Sequence, residues 1–145
     1  PGQPIVCGYV SAPQGSYLAQ AYVLTGADKF KTGLQKAAAY SAGANPMNKT
    51  FMVGLGYDYP RDAFKIDARI TGQDMPIGTL IYGTQDLSWE HWANTWVYNK
   101  NVPAVSEWPN TEGFFDAYGV PMTEEWTVHQ TSAQGAYTWG VLAGW

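Results

Sequence analysis

Metal ligands are scarce in this chain, which has a single cysteine, Cys7, and two histidines, His91 and His129. One cysteine forbids an intrachain disulfide, and so few thiol and imidazole groups cannot assemble a zinc or iron–sulfur centre. No metal and no cofactor is expected. Positive charge is scarce as well: 8 Lys and Arg stand against 12 Asp and Glu, a net charge of −4. No basic field is available to hold a nucleic-acid backbone or an anionic membrane surface. No apolar run approaches the roughly 20 residues of a membrane span, and Pro1 to Val10 has neither the basic nor the long apolar region of a signal peptide. A soluble chain without nucleic-acid or membrane partners is the expectation. Aromatic residues, by contrast, are plentiful: 7 Trp, 10 Tyr and 5 Phe in 145 residues, of which 46% are hydrophobic and 14% charged. That is the composition of one folded globular unit able to bury a core. It also suits a carbohydrate cleft, where a pyranose stacks its C–H face on Trp or Tyr while its hydroxyls meet carboxylates and amides. Ordinary core packing uses the same residues, so position must decide.

Along the chain, Tyr17, Ala21 and Leu24 recur at helical spacing before Gly26, a stop signal. Asp28 can cap a second helix, whose Phe30, Gly33, Leu34, Ala37, Ala38 and Ser41 make a narrow small-residue face ending near Gly43. A tight helical hairpin follows from the pair. From Asn45 to Leu87 the periodicity vanishes, with short strands expected at Thr50–Gly54 and Gly78–Tyr82. Connections this long are usually functional. Ser88 offers a cap to a third helix with Trp89, Trp92, Ala93, Trp96 and Val97 on one stripe. Ser106 caps a fourth carrying Trp108, Glu112, Phe115 and Tyr118. A last helix starts near Glu124 and repeats the spacing at Ala133, Ala136, Tyr137, Gly140 and Val141. The pattern predicts an all-α chain, with no repeat or linker to divide it.

The paired carboxylates Glu124 and Glu125 are the main chemical signal. Adjacent carboxylates repel, so burial of one raises its pKa and lets it hold a proton at neutral pH, as a general acid must. Two solvated glutamates favoured by a helix dipole are the other reading. His129, four residues after Glu125, would lie on the same helical face, or serve a structural role, as His91 does among its tryptophans. Cys7 reads as a small buried hydrophobe. Asp58, Asp62, Asp67 and Asp74 follow no EF-hand spacing and read as loop acids, and Gly54-Leu55-Gly56 lies outside any phosphate-binding context. Arg61, Lys65 and Arg69, at four-residue steps, can aim donors into a polar cleft, Arg69 with a planar fork suited to hydroxyls or a carboxylate.

Several blocks together carry a family resemblance: Gly15-Ser16-Tyr17-Leu18-Ala19-Gln20-Ala21-Tyr22, Leu24-Thr25-Gly26, Gly43-Ala44-Asn45-Pro46-Met47-Asn48 leading to Val53-Gly54-Leu55-Gly56, Ile66-Asp67-Ala68-Arg69, Thr71-Gly72-Gln73, and Glu125-Trp126-Thr127-Val128-His129-Gln130-Thr131. Along essentially its whole length the chain resembles the C-terminal part of glycoside hydrolase family 9, the inverting cellulases and related β-glucanases. The resemblance implies the C-terminal portion of an (α/α)6 barrel, as a single unit over residues 1–145, and hydrolysis of β-1,4-glucosidic bonds in cellulose or a related β-glucan. It implies Glu125 as the catalytic acid and Arg69, Lys65 and Glu124 as substrate-binding positions. Glu124 stands where the family usually has Asn, and Lys65 where many members place a cleft histidine. The family's water-activating Asp pair lies in an earlier stretch that this chain does not contain. The enzyme is therefore incomplete here, and its partners are the glucan and the rest of the barrel. A secreted or periplasmic location follows from the substrate class. The rival reading is a carbohydrate-binding or structural helical module that cleaves nothing.

Overall fold

The computed structural model describes residues 15–87, 95–126 and 132–144, with Trp96 described for its backbone only. Ser88 to Ala93, the expected start of the third helix, therefore lies outside the described residues, as do Cys7, His91 and His129. The described residues form helices joined by long irregular segments, with no strand among them: α1 (Ser16–Thr25), α2 (Asp28–Ser41), α3 (Ile66–Thr71), α4 (Thr95–Tyr98), α5 (Pro121–Glu124) and α6 (Ala133–Ala143). No helix of the described residues is long and apolar enough to cross a membrane.

The α1–α2 hairpin forms as expected. Gly26 takes φ 65° and donates its N–H to the Tyr22 carbonyl, closing α1 in a conformation that costs glycine little. Asp28 lies in the first turn of α2 rather than at its cap, which is Ala27. The small-residue face of α2 is the inward one, with Leu34, Ala38 and Ser41 buried. A side chain at Gly33 would press on Leu18, its Cβ 3.1 Å from Cδ1, so glycine sets the helix separation there. On α1, however, the apolar stripe faces out: Tyr17 and Leu24 are 83% and 84% exposed, and Ala19 is the buried residue. α6 is rotated the same way. Gly135 and Thr138 are its buried positions, whereas Ala136 and Tyr137 are exposed. A Cβ on Gly135 would overlap Leu80, and one on Gly15 would overlap Thr138, so these helices touch the chain through their smallest residues.

The irregular segment folds back on the hairpin around Phe51, Ala63, Ile81 and Phe114, with Tyr40, Met47 and Met75 packed against them. Residues 51–53 and 78–81 run side by side: Val53 N–H donates to Thr79 (2.9 Å), Gly78 N–H to Val53 (2.8 Å) and Ile81 N–H to Phe51 (3.2 Å). They amount to one antiparallel bridge, Met52 to Leu80, rather than the two strands expected. Gly54 and Gly78, both at positive φ, turn the chain away before a ladder can extend.

The expected fourth helix is also absent. Two single 3₁₀ turns, Val105–Glu107 and Asn110–Glu112, replace it. Pro109 drives Trp108 into extended backbone (φ −90°, ψ 139°), because the proline ring crowds a helical residue before it. Trp108 instead stacks on Phe115, centroids 5.3 Å apart. A second small core, Leu87, Val105 and Met122, forms beneath, with Val97 and Tyr98 of α4 against it.

Gly113 closes this region at the main chain. A Cβ there would run into the Gln85 carbonyl oxygen, and Gln85 N–H donates to Gly113 at 2.9 Å. Because backbone, not a flexible side chain, is in the way, Gly113→Ala should cost about 1–3 kcal/mol. A lowered denaturation midpoint at unchanged m-value is the expected readout.

Candidate active site

Pro121 opens α5, where its missing N–H costs nothing. The helix stops after four residues, at Glu124, and Glu125 is extended (φ −70°, ψ 157°). The long last helix expected from Glu124 is thus two elements, and Glu125 lies at the C-terminal end of the first rather than in the first turn of the second. The reading of Glu125 as a glutamate favoured by the dipole at a helix start falls with it, and His129 lies outside the described residues. The cause is long-range. Glu124 gives its carbonyl to Phe64 N–H (2.9 Å), Glu125 to Tyr82 N–H (2.8 Å) and Thr123 to Gly83 N–H (2.9 Å). Carbonyls spent on the irregular segment are not available to a continuing helix.

The two glutamates differ in surroundings. Glu125 is half-buried, and desolvation raises its carboxyl above the ordinary range. Glu124 has no exposed surface. Burial first, then the Asp116 carboxylate, push its pKa up to about 9, with Lys49 pulling the other way. Both effects favour the uncharged acid form of Glu124. A side chain with no exposed surface offers nothing to a substrate, which counts against the reading of Glu124 as a substrate contact.

Arg69 and Lys65 share a small cavity of ≈ 160 Å³ with Arg61, Asp62, Asp74 and Tyr118. The Arg69 guanidinium lies over the Tyr118 ring, 4.3 Å from its centroid, and the Phe64 ring packs against Tyr118 with centroids 5.0 Å apart. Lys65 Nζ is 3.0 Å from the exposed Asp67, whose carboxyl it holds below the usual range. Arg61, Asp74 and Met75 also border a wider cleft of ≈ 640 Å³ with Tyr59, Pro60 and Ile77, and Arg61 stacks on Tyr59 at 3.7 Å. The main chain of Phe64 links this basic, aromatic-walled region to Glu124. Glu125 itself does not border either cavity.

Two residues that organise the site escape a reading of local pattern. Asp116 accepts the main-chain N–H groups of Arg61 and Asp62, and Lys49 pairs with Asp58 at 2.6 Å while standing 3.8 Å from Asp116. Nothing in their own neighbourhoods marks them, since every partner but Asp58 is remote in sequence. Among the described residues no three His, Cys, Asp or Glu side chains are grouped to hold a metal ion.

No protein-family model matches the sequence, and no curated protein does so significantly. Solved structures do match. A metagenome-derived glycoside hydrolase family 9 endoglucanase superposes with a TM-score of 0.68 at 22% identity, over 90% of this chain. In fold, the chain is similar to part of a family 9 endoglucanase. A mutant of the thermostable endoglucanase from Alicyclobacillus acidocaldarius gives 0.67 at 20% identity over 91%, and the family 9 endoglucanase J30 gives 0.71 at 16% over 92%. The chain spans only 21%, 25% and 24% of the length of those three structures. The likeness expected from the short sequence blocks is thus present at the level of backbone fold.

Proposed function

We propose that residues 1–145 form a single unit, the acid-bearing C-terminal segment of an (α/α)6-barrel catalytic domain that hydrolyses β-1,4-glucosidic bonds in cellulose or a related β-glucan. The observation that carries this reading is the backbone match to family 9 endoglucanases over nine-tenths of the chain. Two features support it. The apolar stripes of α1 and α6 point away from the rest of the chain, as helices do that await neighbours on a second side. Glu125 is partly desolvated on a main chain tied at both of its last carbonyls, which suits a group that must keep a proton and hold its aim.

In this mechanism Glu125 protonates the glycosidic oxygen as the bond to the anomeric carbon breaks. A water, losing its proton to a base, attacks from the opposite face. The base belongs to the part of the barrel outside this chain, about 6.5–9.5 Å from the acid in an inverting enzyme. Arg69 and Lys65 offer donors to sugar hydroxyls, with Tyr118 and Tyr59 as ring platforms. The substrate class makes the enzyme secreted or periplasmic, with glucan and barrel as its partners and no cofactor in the reaction. Attack opposite a β bond leaves the new reducing end in the α configuration. Proton NMR of the complete protein acting on a soluble β-glucan should show that anomer first, before mutarotation. A β anomer would sink the inverting mechanism, and binding without sugar release would favour the carbohydrate-binding module.

A further inference from the structure

Among the described residues neither oxygen of Glu124 receives an N–H or O–H, although the side chain is wholly buried. A buried carboxylate with no donor is a costly arrangement that proteins avoid by neutralising the group. The group that acts on it most strongly is another carboxyl, that of Asp116, and the preceding residues of the two segments are joined directly, Thr123 Oγ1 donating to the Phe115 carbonyl at 2.8 Å. Asp116 is not free to turn away. It takes Arg61 N–H at 2.9 and 3.0 Å and Asp62 N–H at 2.9 Å. Lys49, which could have neutralised the pair, makes its short contact with Asp58 instead, at 2.6 Å against 3.8 Å to Asp116. Two acceptors that face each other can bond only through a proton.

We propose that Glu124 is a neutral carboxylic acid whose O–H donates to the Asp116 carboxylate, and that this shared proton latches the α5 turn to the loop carrying Arg61 and Phe64. The latch joins two attachments already present, Asp116 to the Arg61 and Asp62 amides and Glu124 to the Phe64 amide, into one closed circuit. Glu124 is a positioning residue in this scheme, and its bearing on Glu125 rests on the general-acid reading above, whereas the pair itself does not. The charged groups that act on Glu124 are Asp116, Lys49 and Asp62, and Lys49 is itself paired with Asp58. Removing the proton leaves a wholly buried carboxylate beside the half-buried Asp116 carboxylate, with one lysine that is already engaged. The folded-state pKa of about 9 lies above the ordinary 4.5. Folded protein therefore binds the extra proton between those values, and the latch's contribution is full below about pH 4.5 and lost as pH rises to about 9.

The test is infrared titration of the full chain with denaturant unfolding at matched pH. Wild type should show a protonated-carboxyl band at pH 7 whose last component disappears near pH 9, and a denaturation midpoint that falls across the same range. Glu124→Gln keeps the shape and an N–H donor to Asp116 without the titration; it should lose that component and flatten the alkaline fall. Asp116→Asn should move the component at least about one pH unit down, a tenfold weaker proton affinity. The proposal is overturned if wild type has no carboxyl titrating above pH 7, if that component survives Glu124→Gln, or if Asp116→Asn leaves it in place. None of these readouts needs substrate, so a failed latch and a failed glucanase reading are told apart by the anomer measurement.

Discussion

In the complete protein, Glu125→Gln is expected to lower turnover on unactivated β-glucan by about 10²–10⁴-fold, the usual contribution of a general acid. The amide has nearly the same shape, and the two carbonyls that hold the turn, accepting from Phe64 and Tyr82, are main-chain groups untouched by the change. What is lost is the proton. A glycoside whose leaving group departs as a stable anion does not need it, so turnover on an aryl glucoside with a good leaving group should fall far less. The acid works protonated, and desolvation raises its pKa. Wild-type turnover should therefore fall as pH rises through that value, and the variant should lose this limb. Equal losses on both substrates would remove Glu125 from the acid role.

The largest stability effect is expected at Phe51. Its ring is wholly buried, 6.1 Å from Tyr40 in a near-parallel stack and 5.4 Å from Phe114 edge-on. Its main chain also joins α2 to the irregular segment, taking Ile81 N–H and donating to Ser41. Phe51→Ala should cost about 3–5 kcal/mol, since the tied backbone cannot close over the cavity. Set against the roughly 5–15 kcal/mol typical of a domain, about a fifth or more of the margin goes. Denaturant unfolding with Phe51→Leu as the milder control measures it, and a loss below about 1 kcal/mol would show that the packing centre lies elsewhere.

The legible parts of this fold are those decided locally. α1 and α2 could be read because Gly26 and the 3.6-residue spacing act within a few residues of where they sit. The spacing of α1 does not say which way its stripe turns: periodicity says that a face will be covered, not that this chain covers it. Trp108 and Phe115 have helical spacing, yet Pro109 between them decides the backbone. Glu124 and Glu125 could be picked out as a pair and not placed, because the amides that end α5, from Phe64 and Tyr82, are far away along the chain. The same holds for Asp116, whose role depends on Arg61 and Asp62. The short blocks that resemble family 9 do carry the backbone likeness, which spacing alone did not reach.

The stretch from Phe64 to Tyr82 has its two ends hydrogen-bonded to consecutive peptide carbonyls, those of Glu124 and Glu125. It is thus a loop closed at its base, with Met75 near its tip resting on the Phe51 core. Residues added or removed around Gly72–Pro76 would reshape the walls near Gln73, Asp74 and Met75, while the paired amides at the base keep the carboxyl-bearing turn in register. Variation in the reach of the groove could accumulate there without disturbing the turn on which it closes.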